Sequence, residues 1–283
     1  MLTLESKDYC KGLSLLDQVK INTLFARAVL EECVPGQVYA DDPDTPRTFY
    51  VVHPYGMSLL FGDAGNEEFN RSLYDYITNK AGIRNHPEWL QGDPSGAWSP
   101  LIDSMLAAHN STVIGNGDEA EAEDPRRIQK NTRVNFSFDR EAYLDAKKQF
   151  FRRDAALVRT GKEQFRAQAG SVVPRFFWRD EEHFLADGVG YSILEGEEAA
   201  STAFASCRTE HQLEIGIETA GAYRGKGYAF TVSSALIDYC LEHDLEPVWA
   251  CRLENQGSYQ LAQKLGFQPS LTLPYYRLPG SIG

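Results

Sequence analysis

The sequence predicts a mixed α/β (α+β) protein in two parts, and three observations carry that prediction. Short apolar runs alternate with amphipathic helical stretches along the chain. Between about residues 212 and 253 a strand, a Gly-rich turn, a long helix and a second strand follow one another. That order implies a parallel pair within a mixed sheet. Residues 115–125 (GNGDEAEAEDP) are acidic, small and free of large apolar side chains, and read as a linker. A smaller N-terminal α+β part, residues 1–125, is therefore expected to precede a C-terminal domain, residues 126–283.

The elements follow from spacing and punctuation. Leu16, Val19, Leu24, Ala28 and Val29 predict a helix across residues 14–33. Residues 48–53 and 57–61 are short and apolar, with His53-Pro54-Tyr55-Gly56 between them, and predict a hairpin. Asn66 followed by Glu67 and Glu68 predicts a capped helix to about residue 79. Asp41, Asp42 and Asp44 surround Pro43 and read as a turn rather than a metal site. In the second part, residues 132–138 read as a strand, 139–151 as a helix and 176–186 as another helix. Strands are expected at 188–194, 199–207 and 212–219, then a helix over about 225–242. A strand at 248–253, a helix at 258–265 closed by Gly266 and a last strand at 275–278 complete the expectation.

Composition narrows the function classes. Of the 283 residues, 42% are hydrophobic and 24% charged, enough apolar material for a core. The net charge of −12 argues against a nucleic-acid partner, because phosphate contacts need clustered Lys and Arg. An acidic surface suits a cationic amine, although it also serves solubility alone. Five cysteines without a CxxC pair fit reduced thiols and a cytoplasmic location. No run approaches the ~20 apolar residues of a membrane span, and the first residues do not read as a signal peptide. The histidines are scattered without HExxH, so no metal site is expected. A homo-oligomer is compatible with these features.

The chemistry concentrates at Arg224-Gly225-Lys226-Gly227-Tyr228-Ala229, where a strand turns into a helix. Two glycines permit a sharp turn and close approach. The first amides of a helix lack internal partners and, with the helix dipole, favour an anion. Arg224 and Lys226 add positive charge. A Walker A loop fails because Gly227 follows Lys226 and Ala220 stands five before Gly225. A dinucleotide fingerprint fails because Phe230 occupies its last glycine position. An ordinary turn with surface cations remains the alternative at this point.

Arg224–Ala229 behind an apolar strand resembles the R/Q-x-x-G-x-G/A acyl-CoA loop of the GNAT superfamily of N-acyltransferases. Downstream, Asn255, Ser258 and the stretch Lys264-Leu265-Gly266-Phe267 are similar, at matching spacing, to a second segment of that superfamily. The set E-I-G-I-E-T, Y-R-G-K-G, P-V-W-A-C and K-L-G-F also resembles the branch of zwittermicin-A-resistance-type acetyltransferases.

The resemblance implies a central mixed sheet flanked by helices over residues 126–283. It implies acetyl-CoA as cofactor and a small-molecule amine as acceptor. The pantetheine arm is expected along Ile215, Gly216, Ile217, Glu218 and Thr219, where two parallel strands splay. The pyrophosphate is expected on Arg224, Gly225, Lys226, Gly227, Tyr228 and Ala229, with Asn255 and Ser258 against the arm. Ser258 could instead cap its helix. Glu214 matches the superfamily's general base, Glu218 is the second candidate, and either could be simply an exposed or substrate-orienting acid. Strand alternation puts Leu213, Ile215 and Ile217 on one face and Glu214, Gly216 and Glu218 on the other. The amide of Ile217 is the expected oxyanion donor. Many members carry a tyrosine seven residues after the Asn, where this chain has Ala262. Tyr259 is the substitute for the general acid, ahead of Cys251 and Tyr275. A catalytically weak acyl-CoA sensor or scaffold is the rival reading, and the N-terminal part is expected to shape the acceptor site.

Overall fold

The structure is a computed structural model, and it describes residues 1–113, 126–152 and 154–280. The acidic stretch 115–125, read from the sequence as a linker, lies outside the described residues. The chain divides into two compact units, Met1–Arg133 with the segment from Leu273 onward, and Val134–Thr272. Among the described residues, no helix is long and apolar enough to cross a membrane.

The first unit is built on strands β1 (Leu2–Thr3), β2 (Gln37–Ala40), β3 (Thr48–Val52), β4 (Met57–Gly62) and β5 (Glu88–Gly92) in that spatial order. The first four pair antiparallel, and β4 and β5 pair parallel. The expected hairpin is present as β3 and β4. The helix expected over 14–33 is two pieces, α1 (Leu13–Leu16) and α2 (Leu24–Leu30). The break has a local cause: Asn22 Oδ1 accepts the Leu24 amide at 3.2 Å, a bond that competes with helix continuation. Helix α3 (Glu67–Ile77) begins at Asn66, whose side chain accepts the Phe69 amide, as its sequence predicts. Helix α4 (Trp98–Val113) was not anticipated. Phe69, Leu73, Trp98 and Ile102 of α3 and α4 pack with Tyr50, Leu60 and Leu90 of the sheet. The end of strand Phe267–Leu278 belongs to this core, with Tyr276 opposite Leu90 and Tyr276 and Leu278 fully buried.

The second unit begins in β6 (Gln129–Phe138) and continues through α5 (Arg140–Phe150), β7 (Leu157–Arg159), α6 (Lys162–Ala167) and α7 (Glu181–Asp187). Strands β8 (Gly190–Glu195), β9 (Glu198–Arg208) and β10 (Gln212–Thr219) follow, then α8 (Tyr228–Glu242), β11 (Glu246–Val248), β12 (Ala250–Arg252), α9 (Gln256–Lys264) and β13 (Phe267–Leu278). The expected helix at 176–186 is instead a 3₁₀ turn at Pro174–Phe176 and α7, which starts afresh where Asp180 accepts the His183 amide at 2.8 Å. Strands β7 to β11 form one sheet in the order β11-β10-β9-β8-β7. Helix α8 packs on β8, β9 and β10 with nine buried side chains, which is why its sequence is apolar on most faces. Tyr143 of α5 locks the back of α8, donating to Ser234 O at 2.9 Å and Asp238 Oδ1 at 2.7 Å.

Candidate active site

The strand expected at 248–253 is broken, and the break makes the site. β10 and β11 pair in parallel for three residues only, Gln212, Leu213 and Glu214 opposite Glu246, Pro247 and Val248. Trp249 ends that pairing. Its ring is buried beside Phe267, and its Nε1 donates to Ser258 Oγ at 3.2 Å. The chain then resumes as β12, which pairs with β6. From Ile215 to Thr219, β10 keeps β9 on one side. Among the described residues, no strand borders it on the other.

A cleft of about 680 Å³ opens at this edge. Ile217, Glu218 and Thr219 form its floor. Tyr223, Arg224, Gly225, Gly227, Tyr228, Ala229 and Phe230 form one end. Asn255, Ser258, Leu261 and Lys264 of the α9 region form a wall, and Ser171 and Val172 another.

The turn is shaped by two left-handed glycines, Gly225 at φ 78° and Gly227 at φ 81°. An L side chain in that conformation costs roughly 1–2 kcal/mol. A Cβ placed at Gly225 would meet no atom within 4 Å, so the backbone there is open to a ligand. Gly227 is the N-cap of α8, and the first return bond runs from the Thr231 amide to Gly227 O at 3.2 Å. The amides of Tyr228, Ala229 and Phe230 precede that bond, have no intrahelical acceptor, and sit at the positive end of the helix dipole.

Arg224 is exposed, and its Nε donates to Thr219 O at 3.2 Å. Lys226 lies outside the cleft wall, with Nζ 4.8 Å from the Tyr223 ring centre. Lys264 supplies a further cation on the wall, held 3.6 Å over the Phe150 ring. The Tyr228 hydroxyl donates to Glu195, and that bond raises its pKa. Arg152 braces the turn from behind, donating from Nη1 to Lys226 O at 3.0 Å.

Of the residues singled out in the sequence, Ile217, Glu218, Thr219, Arg224, Gly225, Gly227, Tyr228, Ala229, Asn255 and Ser258 meet at this cleft. Glu214, Ile215 and Gly216 lie deeper along β10 and are buried. Gly216 answers to internal packing, because a Cβ there would come within 2.6 Å of the Phe204 ring. The Glu218 carboxylate accepts the amides of Ser171 and Val172. Asn255, not Ser258, caps α9, and accepts the Ser258 amide at 3.3 Å. Tyr259 packs on Phe136, and Ala262 is fully buried. Neither lies on the cleft wall, which α9 forms with the opposite face.

Arg152, Ser171, Val172 and Lys264 were not marked as site residues from the sequence. Only Lys264 had a signal, its place in the K-L-G-F segment. The others reach the site across more than forty residues of chain.

The chain matches the GNAT acetyltransferase family over residues 14–276. It is 24% identical over 268 residues to the uncharacterized N-acetyltransferase YdfB of Bacillus subtilis (strain 168), covering 94% of each chain. Its fold is that of a GCN5-related N-acetyltransferase-like protein from Streptococcus suis 89/1591, with a TM-score of 0.68 at 21% identity over 96% of this chain and 99% of that one. A tandem GNAT protein from the clavulanic acid biosynthesis pathway, solved without AcCoA, also superposes, with a TM-score of 0.57 at 12% identity over 100% and 98%. A strand edge left open by a splayed neighbour, running into an amide-rich turn, thus occurs in a chain that belongs to the GNAT acetyltransferase family.

Proposed function

We propose that the protein transfers the acetyl group of acetyl-CoA to an amine of a small molecule by direct attack. One observation carries this reading: the unpaired edge of β10 leads directly into a turn with outward amides and cations. A peptide-like arm suits an open strand edge, and a pyrophosphate suits a helix start. Ile215, Gly216, Ile217, Glu218 and Thr219 offer backbone groups to the pantetheine. Arg224, Gly225, Gly227, Tyr228 and Ala229 hold the phosphates, Lys226 adds charge from outside the cleft wall, and Asn255 and Ser258 flank the arm. Bound acetyl-CoA supplies a thioester carbonyl open to attack by an amine.

The chain must then take a proton from the amine and meet the developing oxyanion. Glu214 is the base, acting through water because it lies deeper than the cleft floor. A positioned base contributes about 10²–10⁴-fold. The Ile217 amide is the oxyanion donor. With Tyr259 turned to Phe136, water provides the proton for the departing sulfur.

The same orientation of α9 favours a second reading, an acyl-CoA sensor without turnover. Thermal shift and labelled acetyl transfer to a panel of amines separate the two. Acetyl-CoA at a hundredfold its Kd should stabilise the protein by about 2.7 kcal/mol. Glu214→Gln should keep that shift and lose on the order of 10²-fold or more in turnover. A shift without turnover favours the sensor, and neither shift nor consumption would overturn both.

A further inference from the structure

Glu218 stands on the cleft floor, yet its carboxylate is committed to the protein itself. Oε2 accepts the Ser171 amide at 3.0 Å and the Val172 amide at 3.0 Å, with Ser171 Oγ at 3.5 Å. Oε1 lies 3.9 Å from Arg224 Nη2. A carboxylate oxygen has two lone-pair sites, and here two successive amides take both. Hydrogen bonds to an ionised acceptor are about twice as strong as neutral ones. Gly170 completes the fit. It takes φ 134°, and a Cβ there would come within 2.5 Å of Glu218 Cγ. Ser171 and Val172 are themselves a wall of the cleft. A general base needs a lone pair facing its substrate, and the oxygen nearest the segment has none to spare.

We propose that Glu218 is a positioning residue that pins segment 170–172 as a wall of the cleft, an inference that rests on the acyl-transfer reading only for its kinetic consequence. One carboxylate holds the wall on one side and faces Arg224 of the phosphate turn on the other.

Hydrogen–deuterium exchange of the full chain without ligand tests the clamp directly. Glu218→Ala should speed exchange at the Ser171 and Val172 amides on the order of tenfold to a hundredfold, because two charge-assisted bonds are lost. Glu218→Gln retains an acceptor oxygen and should stay within about threefold of wild type. Gly170→Ala displaces the Glu218 side chain and should behave like Glu218→Ala. With acetyl-CoA and a turned-over amine, Glu218→Ala should raise the acceptor KM about tenfold with little change in kcat, and Glu218→Gln should restore it. Unchanged exchange in both Glu218→Ala and Gly170→Ala overturns the proposal. So does a Glu218→Gln enzyme with normal exchange and kcat reduced on the order of a hundredfold, the behaviour of a base. If wild type acetylates no amine, the kinetic arm falls with the acyl-transfer reading and the exchange arm decides alone.

Discussion

His53 shows how burial sets the chemistry of one side chain. Burial lowers its pKa to about 3, because the imidazolium would lose its water. Nδ1 accepts the Tyr55 amide at 3.1 Å, which requires that nitrogen to be unprotonated. The unfolded ring takes a proton near pH 6.5, so below that pH the unfolded chain binds the extra proton. This contribution to stability is complete above about pH 6.5 and is lost as pH falls toward 3, at up to about 1.4 kcal/mol per pH unit. Urea midpoints measured from pH 7 to pH 4 should fall, and His53→Phe should flatten that slope. Little of this was legible in the sequence, where His53 read as part of a turn. Glu218 is a similar case: its amide partners lie 46 and 47 positions earlier in the chain.

Among the elements, start signals were easier to read than interruptions. Asn66 caps α3 and Asp139 caps α5, each accepting an amide three residues on, as the local sequence suggests. α9 follows the same rule through Asn255, three residues before the start expected at Ser258. Asn255→Ala should cost about 1 kcal/mol and fray the turn that carries Ser258. A lower melting temperature together with a raised KM for acetyl-CoA would register both effects. Some interruptions are local, as at Asn22, while those beside Trp178 and Trp249 also involve groups distant in sequence. Near Trp249 the one local signal is Pro247, which lacks a ladder donor and marks β11 as short and marginal. At Trp249 the indole is buried beside Phe267 and the backbone carbonyl turns to the Phe136 amide of β6. Phe176–Ala186 had helical spacing throughout, but the Trp178 indole donates to Ala205 O at 2.7 Å, and the chain restarts at Asp180.

At the scale of the molecule, the end of the chain belongs to the first unit's core. Tyr276 and Leu278 are fully buried among Tyr50, Leu90 and Trp98, and Arg84 donates to Pro279 O from Nε at 3.0 Å. Removing residues from Leu273 onward forfeits roughly 3–6 kcal/mol from those two side chains alone, a large share of a domain's stability. A chain ending at Thr272 should therefore lose the folded first unit, seen as rapid proteolysis within residues 1–133. The sequence by itself determined the mixed α/β class, the parallel pairing of β10 with β11 and the glycine turn that opens α8 at Arg224–Ala229. Those features depend on neighbours in the chain: glycine dihedrals, strand alternation and unpaired amides at a helix start. Only the tertiary structure decided where β10 and β11 part, that Tyr259 faces Phe136, that Glu218 holds Ser171 and Val172, and that the last strand joins the first unit. Each of those outcomes depends on which buried or charged groups distant in sequence come together, and local spacing carries no record of that choice.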